Sequence, residues 1–300
     1  MATTKEIGII GLGPMGYNMA TVLHNNGYSL ALYNRTREKV SAFESMENVY
    51  VATDKADLVN KLRSSQNGVT ILAMVPGGKV TNELMGELSL MMRKDDIVID
   101  GSNSYVEDSL ANYKKLKEKG IFYLDVGCGG GPEDILKGFT LMVGGDKEAY
   151  ELSKDVFEAL CGDRTYGYVG PAGSGQTAKG WHNVDFYAQF AVFAETASAL
   201  LEMKKQNPLL DLNEVLRLHA ASPPITVDIP TAIYNAINEG KLPNEAPQIK
   251  VSAMVMHVID VAKEAGVHLP IIMSIFEKYG SMSEEARRVH AGAKTIIVGH

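Results

Sequence analysis

Cysteine is nearly absent from this chain of 300 residues, which carries only Cys128 and Cys161, without CxxC spacing. So few thiols signal neither a disulfide framework nor a zinc site, and no other metal signature accompanies them. Basic residues are outnumbered, 29 Lys and Arg against 36 Asp and Glu, for a net charge of −7. That balance excludes the broad positive face a nucleic-acid binder needs, although a local positive pocket for a small anion stays open. No uncharged apolar run approaches the roughly 18 residues that span a bilayer. The opening MATTKEIGII turns to strand at once, leaving no room for a signal peptide. Repeats, low-complexity tracts and long linkers are missing too. With 45% hydrophobic and 22% charged residues, the expectation is a soluble cytoplasmic protein of one large or two ordinary domains. The fourteen methionines read as core filler.

What the chain does have begins with the apolar run Lys5–Ile10, leading into Gly11-Leu12-Gly13-Pro14-Met15-Gly16. This GxGxxG lies between a strand and a helix expected from about Met15 to Asn26, where it has mechanical meaning. Gly11 permits the tight turn, Gly13 lets the backbone approach a pyrophosphate, and Gly16 lets helix and strand pack closely. The helix start then points its N–H groups at the phosphates. A second strand, Ser29–Tyr33, ends in Asn34-Arg35-Thr36-Arg37. NAD sites usually place an acid here for the ribose 2′-OH. Its absence, with two guanidinium groups and a hydroxyl in its place, favours NADP, with NAD still possible. Alternatively, Arg37 and Lys39 merely begin a solvated helix.

Strand and helix continue to alternate. Val69–Val75 ends at Pro76-Gly77-Gly78, where Val75 and Pro76 would meet the cofactor; Asp96–Asp100 ends at Gly101-Ser102-Asn103-Ser104. Helices are expected over Val80–Met92, Tyr105–Lys119 and Glu148–Leu160, and strands at Phe122–Asp125, Phe139–Val143 and Tyr166–Val169. Val126–Gly131 reads as a glycine-rich loop. The pattern predicts a Rossmann doubly wound parallel sheet over residues 1–172. From residue 173 to 300 the texture becomes all-helical, with helices from Lys179 through Met203 and at Leu212–Ala221, Pro230–Asn238, Ser252–Ala265 and Ile271–Tyr279. Asp211 and Glu214 resemble a capping box. The apolar helix after Lys179 is central in its domain or buried against a second subunit.

Within Gly173–Glu195, a mobile Gly-Ser-Gly turn precedes Lys179, His182 and Asn183, which are spaced to share one helix side. A lysine, an imidazole and an amide there suit acid–base chemistry, though a solvated surface turn would also hold them. His257 reads as a packed histidine, and His24, His219, His268 and His290 as solvated surface.

Together GLGPMGYNMA, NRT, VIDGSNS, the glycine loop after YLDVG, and AKGWHNVDFY resemble, in order, the landmarks of 6-phosphogluconate dehydrogenases within the β-hydroxyacid dehydrogenase superfamily. The closing Gly299-His300 resembles that family's terminal tail, which reaches into a partner subunit. The resemblance implies a Rossmann domain, a helical substrate domain and a homodimer. It makes Lys179 the general base at the C3 hydroxyl, Asn183 and His182 substrate contacts, Asn103 a bridge between substrate and nicotinamide, and Asp185 the acid. It also implies substrate contacts at Gly129, Gly130, Lys294 and His300. Departures are equally specific. Gly129 replaces a serine, Asp185 a glutamate, Phe186 a tyrosine and Lys294 an arginine, and the segment around Thr226 lacks the arginine expected for a phosphate. A 3-hydroxyacid dehydrogenase or semialdehyde reductase on an unphosphorylated substrate is therefore the alternative. A nucleotide sensor would need no positioned lysine, and an imine reductase typically lacks both it and the His-Asn pair.

Overall fold

The computed structural model describes residues 5–65, 68–131, 138–162, 164–221, 235–247, 253–264 and 270–298. They fall into two compact units, Met1–Lys179 and Gly180–His300. In the first, strands β1 (Glu6–Ile10), β2 (Ser29–Tyr33), β3 (Val49–Val51), β4 (Thr70–Ala73), β5 (Ile97–Asp100), β6 (Phe122–Gly129), β7 (Thr140–Gly145) and β8 (Tyr166–Gly170) form one sheet. Its order is β3-β2-β1-β4-β5-β6-β7-β8. The first six strands run parallel, with the switch point between β1 and β4.

The doubly wound parallel sheet departs from the expected direction at one place: β7 pairs antiparallel with β6, and β8 follows β7 in parallel. Only ten residues separate Gly129 from Thr140, fewer than the roughly dozen a parallel crossover needs. The glycine run is corrected as well. Gly127, Cys128 and Gly129 are strand, paired with Met142, Leu141 and Thr140, so the loop proper starts at Gly130.

Helices α1 (Pro14–Asn25), α2 (Lys55–Ser65), α3 (Lys79–Met91), α4 (Val106–Lys117), α5 (Lys147–Leu152) and α6 (Lys154–Cys161) cover the sheet. The single helix expected over 148–160 is two, divided at Ser153, and neither β3 nor α2 was anticipated. Ile7 and Ile9 pack with Met19 and Leu23 of α1 and Phe157 of α6. Ile10 packs with Leu58 of α2, Leu84 of α3 and Leu116 of α4. Burial on both faces is why these strands read as continuous apolar runs rather than alternations.

Helix α7 (Ser174–Gln206) begins within the first unit. Ser174 and Gly175 belong to its first turn, so the expected mobile turn reduces to Gly173, at φ 88°. The second unit continues α7 and adds α8 (Leu212–Ala221), α9 (Ala253–Glu264), α10 (Pro270–Lys278) and α11 (Glu284–Val298), the last not anticipated. Its core joins Phe190, Ile259, Phe276, Tyr279 and Val289. The capping box is half made. Asp211 Oδ1 accepts the Glu214 N–H at 3.0 Å, but the Glu214 carboxylate turns to Arg217 instead of back to the cap. Of the helix expected at Pro230–Asn238, residues 230–234 lie outside the described residues and 235–238 are helical.

His290 is not solvated. It is 3% exposed, with Nε2 2.7 Å from Tyr279 Oη. Burial, reinforced by the Lys294 charge, lowers its pKa from 6.5 to about 4. An unfolded chain therefore binds this proton at a higher pH than the folded one, and stability is lost as pH falls from 6.5 toward 4. The shift corresponds to at most about 3 kcal/mol. Asp100, raised to about 6 by burial, contributes in the opposite sense. The difference between wild type and His290→Gln isolates the imidazole: denaturant unfolding at neutral pH and near pH 4.5 will show a smaller acid-side loss in the variant. Equal losses in both proteins would remove His290 as the cause.

Gly127 faces the first turns of α7. A Cβ there would stand 2.5 Å from Lys179 Cβ and 2.7 Å from the Gly175 carbonyl oxygen. Gly127→Ala will cost about 1–3 kcal/mol, the usual range for overpacking, measured as a lower denaturant midpoint at unchanged slope. A wild-type midpoint would show that α7 does not hold this close approach in solution.

Candidate active site

The carboxyl ends of β1, β2, β4 and β5 open onto a cleft of about 640 Å³. Gly11, Gly13, Pro14, Met15, Gly16, Asn34, Arg35, Thr36, Val75, Pro76 and Asn103, all singled out in the sequence, line it. Leu12 does not. Its side chain is 2% exposed in the core, and its N–H donates to Asn34 Oδ1 at 2.9 Å, tying the glycine turn to the end of β2. A Cβ on Gly16 would collide with the Gly11 carbonyl, whereas Gly13 faces open space. Helix α1 starts with Pro14, has no side-chain cap and carries no acid in its first turn. Its N-terminal donors and positive dipole end thus suit a pyrophosphate, so these residues fit a dinucleotide.

The cations at the end of β2 differ from expectation. Arg37 reaches Glu44 at 3.4 Å and is not part of the lining, whereas Lys39 is. Sequence reasoning missed Lys55, at the start of α2. It pairs with Glu87 of α3 and lies 5.9 Å from the centre of the Tyr33 ring, all three lining the cleft. No motif marks Lys55; the signal that could have found it is the cap ahead of it, where Asp54 Oδ1 accepts the Asp57 N–H at 2.8 Å.

Lys179 stands against β6, outside the cleft's lining, with Gly127 beneath its Cβ. Desolvation holds the pKa of its ammonium below the ordinary lysine value, against a smaller opposing effect of Cys128. The Cys128 thiol is pushed up to about 12 by burial, so it is not an activated thiolate. Two buried carboxylates occupy neighbouring register positions on β5 and β6. Asp100 accepts from the Ser102 N–H at 3.0 Å and Tyr123 O–H at 2.8 Å, and burial raises it to about 6. Asp125 accepts from the Gly173 N–H at 2.8 Å and the Gln176 N–H at 3.0 Å, and burial raises it too, against those hydrogen bonds. Neither acid was singled out in the sequence, where each reads as the polar end of a strand.

Gly129 is buried within β6 and Gly130 is exposed at φ 114°. In the second unit Asn183 is half-buried, and His182 and Asp185 are exposed. Lys294 Nζ lies 5.6 Å from the centre of the Tyr187 ring. His300 and the segment around Thr226 lie outside the described residues. No helix among the described residues is long and apolar enough to cross a membrane.

A family described as the NAD binding domain of 6-phosphogluconate dehydrogenase matches residues 6–170. The NADP(+)-dependent, decarboxylating 6-phosphogluconate dehydrogenase of Bacillus subtilis is 36% identical over 199 residues, covering 64% of this chain and 42% of the relative. The NAD(+)-dependent enzyme of the same organism is 30% identical over 280 residues, covering 92% and 54%. The chain thus spans about half the length of the curated relatives it matches. Among solved structures, Mycobacterium tuberculosis 3-hydroxyisobutyrate dehydrogenase shares the fold at a TM-score of 0.69 and 19% identity, covering 98% of this chain and 99% of that one. With a family match spanning more than half of its length, this chain belongs to the family built on the NAD-binding domain of 6-phosphogluconate dehydrogenase.

Proposed function

We propose that this chain is an NADP-linked dehydrogenase of 6-phosphogluconate type, oxidising the C3 hydroxyl of a sugar acid and releasing its C1 carboxylate as CO₂. The product from 6-phosphogluconate would be ribulose 5-phosphate. The observation that carries the reading is Lys179: a lysine whose ammonium is disfavoured by burial, on a helix that starts against the strand ends of a dinucleotide-binding sheet. A nicotinamide cofactor bound in the cleft supplies the hydride acceptor. Neutral Lys179 Nζ takes the C3 hydroxyl proton. As an ammonium, it then hydrogen-bonds the new carbonyl and stabilises the negative charge that develops when the C1–C2 bond breaks. Asn183, His182 and Asn103 are the substrate contacts in this reading, and Asp185 the acid that returns a proton to carbon. Gly129, Gly130, Lys294 and His300 complete the substrate end, with residues 173–300 as substrate and dimerisation domain in a homodimer.

NADP is the cofactor supported by Arg35, Thr36 and Lys39 in the cleft and by the lack of an acid at the end of β2. The curated relatives include both an NADP and an NAD enzyme. The cleft itself therefore makes the prediction. Arg35→Ala will raise KM for NADP+ by at least tenfold and leave that for NAD+ within threefold, since only the former carries the 2′-phosphate. Equal effects on the two cofactors would discard the 2′-phosphate assignment.

A specific observation favours a second reading. Gly129, bound into β6 opposite Thr140, offers no side-chain donor, and Lys294 Nζ lies over the Tyr187 ring, 5.6 Å from its centre. An unphosphorylated 3-hydroxyacid or semialdehyde would need fewer such donors. Purified protein with NADP+ and 6-phosphogluconate, followed for reduced cofactor and CO₂ together, separates the two. Matched turnover of both supports the first. Silence there, with activity on an unphosphorylated panel and no CO₂, replaces it by the second. Lys179→Met will lower kcat by at least a thousandfold while NADP+ still binds; full activity in that variant would end the general-base assignment.

A further inference from the structure

The start of α7 is held from outside the helix. Asp125, fully buried on β6, accepts the backbone N–H groups of both Gly173 and Gln176. It therefore does for α7 what a local cap residue ordinarily does, from 48 and 51 positions away in sequence. Gln176, 1% exposed, extends the tie. Its Nε2 donates to the Ser102 carbonyl at 2.7 Å, so the same turn is bonded to the loop after β5 that carries Asn103 into the cofactor cleft. The Gln176 Oε1 is buried and has no partner among the described residues. An unsatisfied buried acceptor costs stability that an apolar side chain of similar shape would not. Lys179 follows Gln176 by three residues, on the same side of the helix. With Gly127 and Gly175 admitting backbone contact on that side, the position of Lys179 is set by whatever holds this turn.

We propose that Asp125 and Gln176 are positioning residues, which fix the first turn of α7 to β6 and to the Ser102–Asn103 loop and thereby place Lys179 Nζ relative to the cofactor cleft. This inference rests on the reading of Lys179 as the base, and deepens it. Neither residue touches the reacting atoms. Gln176 sets the reach of the helix toward the cofactor loop, and Asp125 sets its depth against the sheet.

The test uses the full chain carrying Asp125→Asn or Gln176→Met, with wild type and Lys179→Met as references. Asn keeps the shape but can accept only one of the two N–H groups. Met keeps the volume and removes both the tie to Ser102 and the unsatisfied oxygen. Three quantities are read: kcat and KM, the NADP+ dissociation constant, and the rate at which an amine-acylating reagent labels Lys179 without substrate, followed by mass spectrometry at one pH. Asp125→Asn is expected to lower kcat at least tenfold, and Gln176→Met at least threefold. NADP+ affinity should stay within twofold and Lys179 labelling should change at least threefold in both. Gln176→Met removes the unsatisfied Oε1 but leaves the Ser102 carbonyl without that donor, so some loss of melting temperature is expected. A merely structural role would lower the melting temperature and leave Lys179 labelling unchanged. Wild-type kcat and wild-type labelling in both variants would overturn the proposal. A wild-type protein inactive on every hydroxyacid, with Lys179 labelling still altered in the variants, would sustain the positioning role and remove the proposed reaction instead.

Discussion

Backbone meets backbone where the first turn of α7 crosses β6 and β7, and much of the first unit follows from that close approach. A Cβ on Gly175 would collide with the Asp125 carbonyl oxygen and come within 2.8 Å of that of Met142; one on Gly144 would lie 2.6 Å from the Gly175 nitrogen. Side chains at any of these points would lift the helix off the sheet. Glycines inside strands ordinarily weaken them, and they recur where another backbone must come close. The antiparallel turn-back of β7 belongs to the same constraint: it places Gly144 beside Asp125 on the neighbouring strand, so two strands of opposite direction share one helix start.

That contact also creates the electrostatics. Bringing a helix start onto strand ends buries N–H groups that must find acceptors, since a buried unpaired donor costs about 1–3 kcal/mol. Asp125 supplies both oxygens to them. The burial that raises Asp125 and Asp100 also lowers Lys179. Desolvation disfavours whichever form is charged, so one dry environment drives acids up and the base down. Burial alone thereby shifts the lysine toward its neutral form.

The parts legible in the sequence were those whose physics is local. Strands β1, β2, β4 and β5 announced themselves as apolar runs because both faces are buried, and the glycines between β1 and α1 because their spacing carries a steric requirement. What escaped was set by distant partners or by short length. Strand β3 has three residues, all half-buried, too few for a period to emerge. Helix α2 is polar on balance, and only its cap could have revealed it. The glycine run after Val126 looked like a loop because composition records flexibility, not the helix that makes flexibility unnecessary. His290 looked like surface because the Tyr279 hydroxyl that pairs with it lies on another element. The direction of β7 was within reach, since the stretch before it is too short for a parallel return.

The same distinction separates a dinucleotide from a small acid as targets of recognition. A dinucleotide is recognised through its phosphates by backbone N–H groups, so the demand falls on glycines at fixed spacing and on one helix start, all within a single βαβ unit. A small sugar acid is recognised by side chains drawn from distant segments. Arginine and lysine are not equivalent here: a guanidinium can bind a phosphate through two parallel hydrogen bonds, whereas an ammonium acts as a point charge. Side chains that offer charge without a directional fork discriminate by size and net charge more than by bond geometry.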